Sequence, residues 1–275
     1  MQGKIIKQIS NQYTVLVNNE EIVCSSRGVF RNQNITPLVG DNVKVDISKK
    51  LITDVLPRKN ELKRPVVANV DITLIIMSVK EPKLSLNLLD KLLVNVIHNK
   101  IEPIICFTKL DLMKEKEIPK FTEIKKYYQS IGIKVYNNQE LNKLLEVLKE
   151  KIVVLTGQTG AGKTTILNKL EPTLNLKTAA ISKSLGRGKH TTRHTEIHYV
   201  KDVYFIDTPG YSYIDLSELT IEDYQNAFIE FNNYPCPFNS CKHFKEKDCG
   251  VKEAVKNEKI LKSRYENYLK FGGLK

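Results

Sequence analysis

The octapeptide Gly157-Gln158-Thr159-Gly160-Ala161-Gly162-Lys163-Thr164 constrains this chain more than any other stretch. It fits G-x-x-x-x-G-K-[ST]; the apolar run Ile152–Thr156 precedes it and a helical pattern from Lys163 to Leu170 follows. A strand that enters a glycine-rich turn and leaves as a helix offers a row of backbone N–H groups to an anion, and the helix dipole adds to the attraction. In such a loop Lys163 reaches the β- and γ-phosphates of a nucleotide and the Thr164 hydroxyl holds Mg²⁺, with Thr165 continuing the same turn.

The surrounding pattern agrees with that start. From Val66 onward, apolar strand-like runs alternate with helical periods: Ile72–Met77, then Leu84–Asn99; Ile101–Phe107, then Phe121–Ser130; Ile133–Tyr136, then Gln139–Lys149. Ile197–Val200 and Val203–Ile206 read as paired strands around Lys201-Asp202. This is the signature of a largely parallel sheet covered by helices. Residues 1–60 differ. Short alternating runs at Lys4–Ile9, Tyr13–Val17, Glu21–Cys24 and Asn42–Ile47 lie between turn formers, which predicts a small closed β-barrel of the OB-fold kind. Leu56–Pro65 is bracketed by two prolines and strongly basic, and reads as a linker. From about Thr220 the chain turns helical, then rich in cysteine and proline, then helical again. The expected division is thus an OB-fold RNA-binding barrel at 1–60, an α/β P-loop core at 61–218 and a helical metal-binding domain at 219–275.

The base is chosen by a second motif. Thr108-Lys109-Leu110-Asp111 follows the strand ending at Phe107, where ligands bind at the carboxyl ends of parallel strands. Asp111 would accept hydrogen bonds from guanine while Lys109 packs over the ring. This motif more often reads N-K-x-D, and Thr108 is expected to forgo the loop-tying amide of the asparagine. Asp207-Thr208-Pro209-Gly210 supplies D-x-x-G, with Asp207 on Mg²⁺ through water and the Gly210 N–H at the γ-phosphate. Between P-loop and D-x-x-G lies the glycine-rich basic segment Ser184–His194, the place of a switch loop, in which Thr191 or Thr192 completes the Mg²⁺ shell. In conventional GTPases the base-reading motif comes last. Here it comes first, so the core is circularly permuted.

Five cysteines are present, and three of them lie close together. Cys236, Cys241, His243 and Cys249 follow C-x₄-C-x-H-x₅-C, a closed set of four ligands that suits structural Zn²⁺. Cys24 and Cys106 sit in apolar runs and read as buried side chains. Lysine and arginine number 43 against 31 acids, a formal net charge of +12, which favours polyanionic partners. Lys242, Lys245 and Lys247 place part of that charge on the Cys-rich module. No apolar run reaches the roughly 18–20 residues that span a bilayer, and the N-terminus lacks the apolar stretch of a signal peptide. The expectation is a cytoplasmic protein with no membrane partner and no dimerising helix, hence a monomer.

These motifs together resemble the circularly permuted, ribosome small-subunit-dependent GTPase A family (RsgA, also YjeQ or YloQ). Arg27–Arg31 and Pro37–Val43 are similar to its OB domain, and Arg58–Leu62 and Arg64–Asp71 to its linker and first core strand. Thr108–Asp111, Gly157–Thr164, Lys189–Arg193 and Asp207–Gly210 follow in the family's order, and the Cys236–Cys249 spacing is its zinc signature. The resemblance implies GTP hydrolysis to GDP and phosphate, stimulated by the small ribosomal subunit, with rRNA binding and a role late in subunit maturation. Two departures stand out. Val135-Tyr136-Asn137-Asn138 lacks the family's Ser-Ala pair near guanine, and Tyr211 follows D-T-P-G where some GTPases carry a water-orienting glutamine. His190 in the switch-like segment is then a candidate to position the attacking water, the alternative being that ribosomal RNA orders the loop and His190 only contacts phosphate. The competing readings are an RNA-binding adaptor with a structural nucleotide and a P-loop ATPase or small-molecule kinase; multiple turnover and base preference separate them.

Overall fold

A computed structural model describes residues 1–26, 35–63, 66–170, 197–206, 214 and 216–274. Alternation of apolar and polar residues closes the N-terminal segment on itself. Strands β1 (Gln2–Ile9), β2 (Gln12–Val17), β3 (Glu20–Ser26), β4 (Asn42–Asp46) and β5 (Leu51–Val55) form a closed barrel in the order β1-β2-β3-β5-β4. This is the Greek-key closure of an OB-fold, in which no edge strand is left open. Ile5, Val15, Cys24, Val43 and Ile52 fill the interior, each at most 1% exposed. A bulge between Ile5 and Lys7 bends β1 around the barrel. The closing strand β5 escapes the alternation rule because only Ile52 in it is buried. It pairs with β4 antiparallel and with β3 in parallel. The Arg27–Arg31 signature lies outside the described residues.

The basic segment after the barrel is partly ordered by pairing and by side-chain clasps. It contributes strand β6 (Glu61–Lys63), which pairs antiparallel with β7 (Val66–Ala68), and it is clasped by side chains. The Arg58 fork holds both oxygens of the fully buried Asp41 at 2.7 Å and also reaches Glu61 at 2.6 Å. The Asn60 amide bonds both the N–H and the C=O of Val70 at 2.8 Å. Gly40 has φ +94, and a Cβ there would stand 2.1 Å from the Ala68 carbonyl oxygen, so only glycine permits this approach. Asp71 accepts from the Ile152 N–H at 2.8 Å and from the Lys59 ammonium.

The core sheet has six strands in the order β10-β9-β8-β11-β13-β12. They are β8 (Ile72–Ser78), β9 (Glu102–Thr108), β10 (Lys134–Asn137), β11 (Ile152–Gly157), β12 (Ile197–Val200) and β13 (Val203–Ile206). β8 and β11 are buried along their whole length, which explains their unbroken apolar sequence. β10 pairs β9 and β11 pairs β13 in parallel, while β12 is an antiparallel edge strand. The helices of the core are α1 (Leu86–His98), α2 (Ile118–Ser130), α3 (Leu141–Leu148) and α4 (Lys163–Leu170). Ser85 caps α1 through its hydroxyl, and Pro119 in the first turn lets α2 begin three residues before the periodicity suggests.

The C-terminal segment holds α5 (Ile221–Ala227), α6 (Gly250–Lys256) and α7 (Lys262–Phe271). A capping box of Thr220 and Asp223 starts α5. The described residues divide into two compact units. One comprises Met1–Leu74, Glu140–Thr156 and Gly162–Tyr211; the other Ile75–Gln139, Gly157–Ala161 and Ser212–Lys275. The C-terminal helices therefore share a unit with α1 and α2. They share a core as well: Arg264 on α7 is fully buried and bonds Glu230 through Nε and Nη2 at 2.8 Å and Asp90 on α1 through Nη1 at 2.9 Å. Tyr128 and Asn267 donate to Asp90 at 2.6 Å, Tyr127 donates to Glu230 at 3.1 Å, and the guanidinium lies 4.3 Å from the Phe228 ring centroid. Burial pushes the Asp90 carboxyl upward while its three donors hold the charged form. No helix among the described residues is long and apolar enough to cross a membrane.

Candidate nucleotide site and metal centre

Strand β11 ends at Gly157, whose φ of +130 aims a would-be Cβ to within 1.9 Å of the Ile76 carbonyl oxygen. Glycine at this place lets β11 and β8 meet as the chain turns into the loop. Gln158 then donates from its backbone to Ile76 at 3.2 Å and from its side chain to the Lys83 carbonyl at 2.8 Å. Gly160 and Gly162 also have positive φ, and the loop closes with the Ala161 N–H on the Gln158 carbonyl at 3.1 Å. Thr159 and Gly160 are exposed, Ala161 is buried, and Lys163, Thr164 and Thr165 open α4. A concave run of N–H groups at a helix start is suited to phosphate oxygens.

The second motif lies in the same compact unit as Gly157–Ala161. Thr108 ends β9, and its hydroxyl donates to the Ala161 carbonyl at 2.6 Å. The expected loss of a loop tie at this position is therefore overturned: a threonine hydroxyl makes the tie that an asparagine amide makes elsewhere. Lys109 takes the left-handed conformation, φ 59 and ψ 34, which turns the chain sharply after the strand. Its ammonium donates to the Glu81 carbonyl, on the same Lys80–Ser85 segment that receives Gln158. Asp111 sits in a short 3₁₀ turn, exposed, and no side chain among the described residues claims its carboxylate. At the end of β10, where the Ser-Ala pair is missing, the Asn137 carboxamide oxygen accepts from the Gln139 N–H at 2.8 Å, and Asn138 donates to the Phe107 carbonyl at 3.0 Å. His190, Thr191, Thr192, Asp207, Gly210 and Tyr211 lie outside the described residues.

The ligand atoms of Cys236, Cys241, His243 and Cys249 all lie within 4.8 Å of one another. His243 Nδ1 is 3.5 Å from the Cys236 and Cys241 sulfurs and 3.4 Å from that of Cys249, and the Cys236 and Cys249 sulfurs are 3.7 Å apart. A tetrahedron with metal–sulfur bonds of 2.3 Å and a metal–nitrogen bond of 2.0–2.1 Å has S–S edges of about 3.8 Å and S–N edges of about 3.6 Å. The donor set and its spacing thus fit Zn²⁺. Burial holds the His243 imidazole below its ordinary value and so neutral, as a ligand must be. Burial also pushes the Cys241 thiol up to about 12, a cost that a dication beside it reverses.

The surroundings hold the knuckle by its backbone. Tyr265 and Tyr268 on α7 donate to the His243 and Lys242 carbonyls at 2.8 and 2.7 Å, and Gln225 donates to that of Cys241 at 2.8 Å. Glu246 accepts from the Lys242 and Phe244 N–H groups at 2.8 Å, and the first of these bonds chiefly draws its carboxyl down to about 2. Neither the Asp90–Arg264–Glu230 cluster nor the Glu81–Lys83 segment follows from motif reading. The one sequence signal was an aspartate between Leu89 and Leu93 on the apolar face of α1.

Comparison with known proteins agrees with this arrangement. A family model described as RsgA GTPase matches residues 55–217, and one described as RsgA N-terminal domain matches residues 2–51. The chain is 44% identical over 280 residues to small ribosomal subunit biogenesis GTPase RsgA 2 of Oceanobacillus iheyensis, covering 98% of this chain and 96% of that one. It is 43% identical to small ribosomal subunit biogenesis GTPase RsgA of Enterococcus faecalis, with 98% and 94% covered. The structure is similar to that of YjeQ from Thermotoga maritima, with a TM-score of 0.85 at 33% identity over 98% of this chain and 96% of that one. It is likewise similar to YloQ, described as a circularly permuted GTPase, with a TM-score of 0.82 at 34% identity over 99% and 93%. A P-loop tied to the Thr108–Asp111 motif that precedes it in the chain, a five-stranded barrel before them and a Cys₃His knuckle after them thus meet in one sequence: the chain belongs to the RsgA GTPase family.

Proposed function

We propose that this GTPase acts on the small ribosomal subunit during its late maturation, hydrolysing GTP to GDP and phosphate with stimulation by the subunit, as a cytoplasmic monomer that binds rRNA. The observation that carries the nucleotide reading is the 2.6 Å bond from Thr108 to Ala161, which joins the base-reading motif to the phosphate loop. The subunit reading rests on relatives named for small ribosomal subunit biogenesis and on the basic charge of the chain.

Asp111 accepts the guanine N–H groups and the Lys109 stem packs against the ring, held at its far end by the Glu81 carbonyl. Loss of base selectivity in Asp111→Asn would mark this role. Gly157, Gln158, Thr159, Gly160, Ala161 and Gly162 wrap the phosphates with backbone N–H groups, Lys163 neutralises the β- and γ-phosphates, and Thr165 continues the wall. Thr164, Thr191 or Thr192, and Asp207 through water would hold Mg²⁺, which when bound would offset the charge that develops on the transferred phosphoryl group. The Gly210 N–H is assigned to the γ-phosphate. With tyrosine at position 211, His190 is assigned to orient the attacking water. His190→Ala should lose subunit-stimulated turnover and keep nucleotide affinity; unchanged turnover would remove it from the mechanism. Zn²⁺ at Cys236, Cys241, His243 and Cys249 serves structure, because four protein ligands leave no open position.

Unaided GTPases of this kind turn over at about 10⁻⁴ to 10⁻² per second, so the basal rate should be low. The test is GTP turnover by purified protein alone and with purified small subunits, with ATP and large subunits as controls. Stimulation by small subunits alone is expected. GTP binding without stimulated turnover would leave an RNA-binding adaptor, and equal use of ATP would overturn the assignment of Thr108–Asp111.

A further inference from the structure

The loop between the first two knuckle cysteines carries a side chain that neither metal binding nor packing explains. Phe238 is 62% exposed, and it is the one phenylalanine among the described residues whose ring stands mostly in solvent. Exposure of a ring this size forgoes a substantial burial energy, and its backbone is fixed nevertheless. Pro237 precedes it, the Phe238 carbonyl accepts from the Cys241 N–H at 3.1 Å, and Cys236 and Cys241 converge on the same His243 nitrogen on either side. The anchors from Gln225, Tyr265 and Tyr268 immobilise the backbone just beyond it. A ring displayed on a rigid loop needs no further ordering to be used in binding.

The neighbourhood selects the partner. Of its exposed neighbours in sequence, Asn239 and Ser240 are polar and Pro235 and Pro237 are apolar, which offers a protein partner little apolar surface to cover with the ring. Lys242, Lys245 and Lys247 are exposed and form no salt bridge among the described residues. Lys245 reaches 5.6 Å from the Phe244 ring centroid. Of the two acids in this stretch, Glu246 is taken up by the backbone N–H groups of Lys242 and Phe244, which leaves Asp248 alone to oppose three lysines. One exposed aromatic ring in the same Cys236–Cys249 segment as three exposed lysines without a salt bridge is what an unpaired nucleobase and its phosphates require.

We propose that Phe238 is a stacking platform for an unpaired RNA base, with Lys242, Lys245 and Lys247 holding the adjoining phosphates. The inference rests on reading the chain as an RNA-binding GTPase and adds the residue and the form of RNA. Removing one base–aromatic stack costs about 5- to 150-fold in affinity.

The chain contains no tryptophan, so Phe238→Trp introduces a single reporter at the site itself. Full-length, metal-loaded wild type, Phe238→Ala, Phe238→Leu and Phe238→Trp would be titrated at fixed salt with small ribosomal subunits and with oligouridylate. Phe238→Ala and Phe238→Leu should both lose about 5- to 150-fold, while Phe238→Trp binds at least as well as wild type and its emission is quenched by oligouridylate. Metal content and basal GTP turnover should be the same in all four. Wild-type affinity in Phe238→Ala, or a tryptophan whose emission ignores oligouridylate, overturns the proposal. Retention by Phe238→Leu alone shows an apolar socket on a protein and overturns it equally. Failure of wild type to bind or respond to small subunits would instead bring down the functional reading on which it rests.

Discussion

Arg264→Met keeps most of the side chain's length and removes its charge, which makes it a direct probe of the buried cluster between α1, α2 and α7. The guanidinium is fully buried and makes three bonds of 2.8–2.9 Å to Glu230 and Asp90. Without it, two carboxyl groups remain in the interior. Each either stays charged, at a cost of several kcal/mol, or takes up a proton. Neutralising one carboxyl at pH 7 costs about 1.4 kcal/mol for each pH unit above an unfolded pKa of about 4, or about 4 kcal/mol. Both routes give a loss of about 3–5 kcal/mol, a large part of the 5–15 kcal/mol typical of a domain. With a urea m-value of about 2–3 kcal/mol/M, the midpoint should fall by roughly 1–2 M. The pH dependence has a definite sign. The folded variant keeps a proton that the unfolded chain releases above about pH 4, so its stability falls as pH rises. Its deficit against wild type should therefore shrink by about 3 kcal/mol between pH 7 and pH 5 for one such carboxyl. Urea denaturation at both pH values, followed by circular dichroism, reads this out. Adding Asp90→Asn and Glu230→Gln should recover most of the loss at pH 7. Equal midpoints at pH 7, or a deficit that widens at pH 5, would refute the reasoning.

Thr108→Val conserves shape and deletes the donor to Ala161, leaving a buried P-loop carbonyl unpaired at about 1–3 kcal/mol. GTP and GDP affinity should fall together in calorimetry, and unchanged affinity would mean that the bond positions nothing. Gly157→Ala places a methyl group 1.9 Å from the Ile76 carbonyl at φ +130. Nucleotide binding should vanish while the barrel's hydrogen-exchange protection persists; measurable GTP binding would contradict the close approach. Cys241→Ser, or a strong chelator added to wild type, should cut zinc from one per chain to near zero. It should also raise hydrogen exchange across the knuckle and α7, whose Tyr265 and Tyr268 hydroxyls grip the knuckle backbone. Full zinc content in Cys241→Ser would rule out the Cys₃His site.

What could be read in the sequence was whatever is encoded locally. The P-loop needs glycines in a fixed order between a strand and a helix, and the knuckle needs four ligands at short spacing, so both are written in contiguous residues. Strands β8 and β11 are buried on both faces and announce themselves as apolar runs. Where the decisive partners are far apart, the reading fell short. Leu56–Pro65 reads as a linker because the residues that clasp it, Asp41 and Val70, lie outside it and carry no signal of that contact in sequence. Strand β5 carries no alternation signal of its own, because barrel closure recruits it. Thr108 was read by what it lacks relative to asparagine, yet the short distance to Ala161 suits a hydroxyl.

The buried Arg264 cluster also sets an order of events while the protein is being made. Asp90 and Arg264 are 174 residues apart, and at 5–20 residues per second the ribosome needs roughly 9–35 s to travel between them. Tyr128, only 38 residues after Asp90, emerges far sooner. Through most of that interval the nascent chain holds an aspartate on the face of α1 that is destined for the interior, with no cation to meet it. Closure of this unit must await the synthesis of α7, so a product truncated before α7 is marked as incomplete by its own unpaired carboxylates.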